Sequence, residues 1–240
     1  MPPDNPLSPL RKTPPRADPD SGRISVRQPA YRETILAPAQ SEYRHVARNR
    51  ATEHVASVLL AVFPSARGAG LTFADETIAG SLPRKFASAV EEGVRAAAAC
   101  GVVTGHPVVD VAVSLLDGEA RGKDLHADAF QLAGSTAFER ACLDAGPVIL
   151  EPFVALEIVV PQAHAGDVVR GLEARRGVVA RVIPRGHAVM IVARAPLGMT
   201  FDYVSRLRGL THGRGTATMV PDGYEIAPRS VVEQLLAHVD

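Results

Sequence analysis

All ten basic residues beyond position 147 are arginine, and five of them fall into two short groups. Arg175 and Arg176 close one apolar-periodic stretch, while Arg206, Arg208 and Arg214 surround Gly209-Leu210-Thr211-His212-Gly213. A guanidinium head is planar, always charged and forked, which suits phosphate oxygens and base faces better than an ammonium does. Phosphate contact is therefore the chemistry these residues could do. A second account fits the same spacing: cations near a helix C-terminus are favoured by the helix dipole and need no partner beyond water.

Other chemistry lacks its residues. There is no G-x-x-x-x-G-K-[ST] loop to cradle nucleotide phosphates. The histidines at 45, 54, 106, 126, 164, 187, 212 and 238 form no i, i+4 pair beside a carboxylate, and no Cys-x-x-Cys occurs. No zinc or other metal site is expected. No G-x-S-x-G elbow anchors a serine nucleophile. The expectation is a protein with no catalytic residues and no cofactor. Cys100 and Cys142 both follow alanine-rich runs and are expected to be reduced and buried.

Twenty-six basic residues balance twenty-six acidic ones over 240 positions, which excludes nucleic-acid affinity from bulk charge and leaves local patches. A chain 46% hydrophobic and 22% charged reads as soluble and globular. With 5% aromatics and no Trp, its cores must be filled by Val, Leu, Ile and Ala. The longest nearly apolar run, Val55 to Phe63, is about half a membrane span and contains Ser57. No apolar signal core stands near the N-terminus, so a cytoplasmic protein without a membrane partner is expected.

The elements that must position these arginines follow from pattern. Residues 1–23 hold seven of nineteen prolines and read as a disordered Pro-rich tail. In 24–147, strands are expected at Ala30–Ile35, Tyr43–Arg48, Val55–Phe63 and Leu71–Thr77. A helix capped by Ser81 then ends at Gly101. Alternation from Val109 to Leu115 predicts a strand ending at the turn pair Asp117-Gly118, and a second helix should run from near Asp124 to Asp144. In 148–240 the rhythm is strand (Ile149–Val160), helix (Gly166–Arg176), two strands flanking a Pro184-Arg185-Gly186 turn, helix (Thr200–Leu210) and strand (Thr216–Val220). That βαββαβ order is ferredoxin-like, with a terminal helix over Pro228–His238. The fold class is α+β in two domains.

These stretches resemble the C-terminal half of bacterial elongation factor G. Ala30-Tyr31-Arg32-Glu33-Thr34-Ile35 reads like that family's AYRETI strand. Gly105-His106-Pro107-Val108-Val109-Asp110-Val111 with Leu116-Asp117-Gly118 is similar to its GYPVVDVKVTLYDG. Ala129-Phe130-Gln131-Leu132-Ala133-Gly134-Ser135 followed by Ala137-Phe138 resembles AFKIAGSMAF. Leu150-Glu151-Pro152, Gly166-Asp167-Val168-Val169, Arg175-Arg176-Gly177 and the run from Leu207 to Gly215 match further motifs in order. The resemblance implies that 24–147 is a domain IV-like α/β two-layer domain and that 148–240 is the ferredoxin-like fifth domain.

It also implies a non-enzymatic ribosome-binding protein that modulates translation and lacks the family's GTPase domain. Its partner would be large-subunit ribosomal RNA near the stalk base and the sarcin–ricin loop, not DNA. Arg175, Arg176, Arg206, Arg208, His212 and Arg214 would face that RNA. The alternative is a protein-interaction module that partners a separate GTPase in trans, or a regulator, without ribosome binding. The family's glycine-rich tip loop, SGGRGQYG, aligns with Asn49–Ala56, where all four glycines are gone. Its usual tip histidine falls on Arg121. Arg48, Arg50, Arg121 and Lys123 are candidate tip contacts, with ordinary surface charge as the competing account.

Overall fold

Ala56, Val58, Leu60 and Val62 recur at every second position, and successive strand side chains point to opposite faces. In the computed structural model of the chain, which describes residues 29–49, 52–78, 81–121 and 126–237, these four face a helical layer. They lie on β3 (Thr52–Pro64), which pairs antiparallel with β2 (Ala39–Asn49) and, on its other edge, β5 (Val111–Arg121). β1 (Arg32–Ile35) precedes them, and β4 (Leu71–Asp75) runs parallel to β5. The β4–β5 connection carries α1 (Arg84–Cys100), as a parallel pair requires. With α2 (Ala127–Asp144), it covers the β2-β3-β5-β4 sheet. The tail expected over 1–23 lies outside the described residues.

α1 and α2 touch backbone to backbone. A β-carbon built at Gly93 would lie 2.0 Å from the Gln131 carbonyl oxygen, and one at Gly134 would lie 2.6 Å from that of Val90. Beside this crossing Phe86 and Phe130 stack with ring centres 4.3 Å apart.

The second sheet is built from β6 (Pro147–Pro161), β7 (Val178–Arg185), β8 (Ala188–Pro196) and β9 (Thr216–Ile226). Its order β9-β6-β8-β7, antiparallel throughout, is that of a ferredoxin-like domain. α3 (Ala165–Glu173) and α4 (Tyr203–Leu210) place Val168, Leu172, Tyr203 and Leu207 on Leu156, Ile158, Val160 and Ile191. A last helix, α5, spans Arg229–Leu236. Pro152 is tolerated inside central β6 because the ladder to β9 bulges between Pro152 and Val154. On the other edge β1 ends at Leu150 and β8 begins only at Phe153.

Several expectations are corrected. The strand at Ala30–Ile35 does not join the first sheet. As β1 it pairs with β6, from Arg32 opposite Leu150 to Ile35 opposite Pro147, while the Ile35 side chain enters the first core. Asp117-Gly118 is not a turn. β5 continues through it to Arg121 with one extra residue against Leu59/Leu60, and Gly118 leaves room for Leu82, whose Cδ2 would lie 2.8 Å from a β-carbon there. Pro83, not Ser81, stands at the start of α1, with no side-chain cap. The β7–β8 turn is Gly186-His187, with Pro184 and Arg185 still in the strand. Cys100 is exposed; Cys142 is buried, and burial pushes its thiol up to about 12.

Glu33 on β1 is fully buried, and among the described residues it has no cationic partner. One carboxylate oxygen accepts from the backbone N–H groups of Val102 (2.7 Å) and Val103 (3.0 Å). The other accepts from Thr104 N–H (2.8 Å), Thr104 Oγ1 (3.0 Å) and His106 N–H (3.2 Å). The α1–β5 connection is thus wrapped around one carboxylate, whose two oxygens take up donors that would otherwise be stranded in the interior. Gly101 has φ 79°, and a β-carbon there would collide with the His106 backbone.

Candidate functional site

Of the six arginine and histidine positions singled out above, Arg175 and Arg176 follow α3, Arg206 and Arg208 lie on α4, and His212 and Arg214 lie in the α4–β9 connection; Arg176 alone turns inward to a buried carboxylate. At the end of α3 the Gly177 N–H donates to the Leu172 carbonyl at 2.8 Å and Arg176 adopts φ 57°. This left-handed cap swings Arg176 away from Arg175. Its guanidinium donates two hydrogen bonds, 2.7 and 2.8 Å, to the carboxylate of Glu151, which is 3% exposed on β6. The hydrogen bond to Glu151 raises the arginine's pKa against the opposing effect of burial. Arg176, expected to face RNA, is therefore the counter-ion of a buried carboxylate. Arg176→Ala should lower stability by about 3 kcal/mol, the low end for orphaning a buried charge, because the guanidinium is part-exposed. Denaturant midpoints for Arg176→Ala and Arg176→Lys would check this, with lysine recovering part of the loss.

Arg175 donates from Nη1 to the Gly171 carbonyl at 2.8 Å, and its guanidinium carbon sits 5.7 Å from the centre of the Tyr203 ring. Arg206 pairs with Asp202, the N-cap of α4 one turn earlier, and that hydrogen bond is the main cause of the lowered Asp202 pKa. Both groups are exposed, so the pair holds weakly and is open to exchange with an outside anion.

The α4–β9 connection explains its own sequence. Thr211 is fully buried; its hydroxyl donates to the Leu207 carbonyl at 2.7 Å and accepts from the Gly215 N–H at 2.8 Å. A β-carbon at Gly215 would lie 2.7 Å from that hydroxyl. His212 and Gly213 both adopt left-handed conformations, φ 51° and 80°. The loop thereby turns His212 and Arg214 outward, and Arg208 is exposed one helical step before it. Among the described residues neither Arg208 nor Arg214 has a carboxylate partner. The His212 ring meets His164, from the turn before α3, edge-on at 6.0 Å.

The tip candidates stand apart in the first domain. Arg48 lies on β2 opposite Glu53, and Arg121 pairs with Glu119 at 2.7 Å. Arg50 and Lys123 lie outside the described residues. Sequence reasoning missed Glu33, Glu151 and Tyr203. The signal for Glu151 was a carboxylate inside a largely apolar strand, which burial permits only with partners, whereas Glu33 in the polar run Arg32-Glu33-Thr34 gave none. Among the described residues no three His, Cys, Asp or Glu side chains converge as metal ligands, and no helix is long and apolar enough to cross a membrane.

Comparison with known proteins agrees in both domains. Residues 28–146 match the family model "Elongation factor G, domain IV", and residues 148–235 match "Elongation factor G C-terminus". The chain is 38% identical over 214 residues to elongation factor G of Gluconobacter oxydans, and 37% identical over 213 residues to that of Granulibacter bethesdensis. Each alignment covers 89% of this chain and 31% of the relative, so the chain spans about a third of these proteins' length. A crystal structure of a Thermus thermophilus protein superposes with a TM-score of 0.79 at 31% identity, covering 90% of this chain and 32% of that one. With both domains matched in order, the chain belongs to the elongation factor G family, of which it carries the domain IV and C-terminal regions.

Proposed function

We propose that this protein binds the ribosome in the cytoplasm through its C-terminal domain and modulates translation without performing catalysis. Arg208, His212 and Arg214 contact phosphates of large-subunit RNA near the stalk base and the sarcin–ricin loop. The observation that carries this reading is the α4–β9 connection. There a buried threonine and two left-handed residues turn His212 and Arg214 outward beside the exposed Arg208 of α4, and among the described residues neither guanidinium has a carboxylate partner. Arg175 and Arg206 add charge through contacts they can exchange, whereas Arg176 is held by Glu151 and is left out. Contacts of this kind read RNA shape and backbone more than sequence.

Co-sedimentation with ribosomes between about 50 and 200 mM salt tests the proposal. Association should fall steeply as salt rises. The Arg208→Ala/Arg214→Ala double variant should bind about tenfold more weakly at low salt, with a salt dependence shallower by roughly one to two units. Wild-type binding that the double variant leaves untouched overturns the assignment. Capture of one stoichiometric protein and no ribosomal RNA would replace it with the reading in which a separate GTPase or regulator is the partner.

A further inference from the structure

A groove of about 420 Å³ opens between α3 and α4 on the helical side of the second domain. It exists because α3 presents Gly171 to its neighbour. A β-carbon there would have Arg175 Nη1, at 3.8 Å, as its nearest heavy atom. The walls are apolar, formed by Val168, Leu207 and Leu210, the last 41% exposed. Tyr203 also lines the groove. The residue is only 4% exposed, and its hydroxyl is the one buried side-chain polar atom without a hydrogen-bond partner among the described residues. Such a group costs free energy until a ligand supplies the missing partner. Burial pushes the phenol up to about 12, so it stays protonated and able to donate. Arg175 and Arg206 stand at the rim; Asp167, also at the mouth, is paired with Arg170.

We propose that this groove receives one unstacked nucleobase of the bound RNA. The Tyr203 hydroxyl bonds the base edge, and Arg175 and Arg206 take the flanking phosphates. The assignment rests on the RNA-binding reading above and gives it a specific subsite. An aliphatic side chain from a protein would fill the apolar walls but leave the hydroxyl unpaired and the rim cations unmatched. Unpaired bases splayed from loops and bulges, held by hydrogen bonds at their edges and guanidinium planes beside them, satisfy all three features. Moving Arg175 to a phosphate uncovers the phenol it now overlies.

The test compares two RNAs with equal numbers of phosphates, a fully paired duplex and a hairpin with bulged purines, each titrated against the full chain. The bulged RNA should bind about tenfold tighter. Gly171→Leu, which fills the groove without meeting backbone, should erase that preference and keep the salt-dependent binding of the duplex. Tyr203→Phe should reduce the preference several-fold while leaving the thermal midpoint unchanged or higher. Equal binding of the two RNAs by the wild type, or a preference that survives Gly171→Leu, overturns the subsite and leaves the ribosome reading standing. Failure of both RNAs to bind at low salt removes the RNA reading itself. If neither RNA is preferred but Gly171→Leu releases the protein from ribosomes, the groove holds a protein side chain and the nucleobase assignment is wrong.

Discussion

Replacing Glu33 by alanine should cost the fold about 4 kcal/mol and lower the thermal midpoint by about 10 °C, a change rarely reached by a single substitution. The carboxylate is fully buried and accepts five hydrogen bonds, four of them from the backbone N–H groups of residues 102, 103, 104 and 106. Those amides have turned away from any other acceptor, so removing the carboxylate strands them. Glu33→Gln should fall between the two. One oxygen remains, but whichever way the amide turns its NH2 faces donors, at a cost of about 2 kcal/mol. The loss should be local before it is global. The Glu33 carbonyl accepts the Val109 N–H at 2.8 Å and the Glu33 N–H donates to the Pro107 carbonyl at 2.9 Å, so the same residue anchors the whole 101–109 connection. Hydrogen exchange at 102–106 should accelerate in Glu33→Gln at temperatures where the rest of the molecule stays protected. A Glu33→Ala midpoint within a degree or two of the wild type would show that the loop finds other acceptors.

Gly93→Ala should destabilise by about 3 kcal/mol or more, although glycine to alanine inside an open helix stabilises by about 1 kcal/mol. The sign reverses because the added methyl meets the Gln131 carbonyl oxygen at 2.0 Å, and backbone cannot step aside as a flexible side chain can. Gly134→Ala should act in the same direction, since its methyl would meet the Val90 carbonyl oxygen at 2.6 Å. Gly171→Ala on α3 is the matched control: nothing lies within 3.8 Å of its added carbon, and it should be neutral or stabilising. Thermal unfolding of the three variants side by side checks the argument. Equal behaviour of Gly93→Ala and Gly171→Ala would mean that α1 and α2 can separate at little cost.

Both glycine positions show how far pattern reading goes. The i, i+4 spacing of Phe86, Val90 and Val94 announces α1, but it cannot say that α2 crosses at Gly93. Strand alternation behaved the same way. It located β3, β5 and the strands of the second sheet, yet read Asp117-Gly118 as a stop, when Gly118 is small because Leu82 packs over it. The arginines mark the limit most clearly. Arg175 and Arg176 are neighbours with identical chemistry. One lies along a helix beside a groove, the other turns through a left-handed cap to a carboxylate 25 positions earlier in the chain.

Period-two and period-3.6 hydrophobicity, punctuated by Gly and Pro, was enough to place most elements, the α+β class and the βαββαβ order of the second domain, because those signals are local. Ordered motif matches were enough to name the family. The destinations of individual polar groups were not legible in this way: β1 pairing across into the other domain's sheet, Glu33 gathering a loop, Glu151 claiming Arg176, and Arg208 and Arg214 left facing solvent. Each depends on contacts between residues 25 to 118 positions apart along the chain, or on the lack of them. A buried charge takes whatever partner the packed chain brings within about 3 Å, and no local spacing encodes that choice.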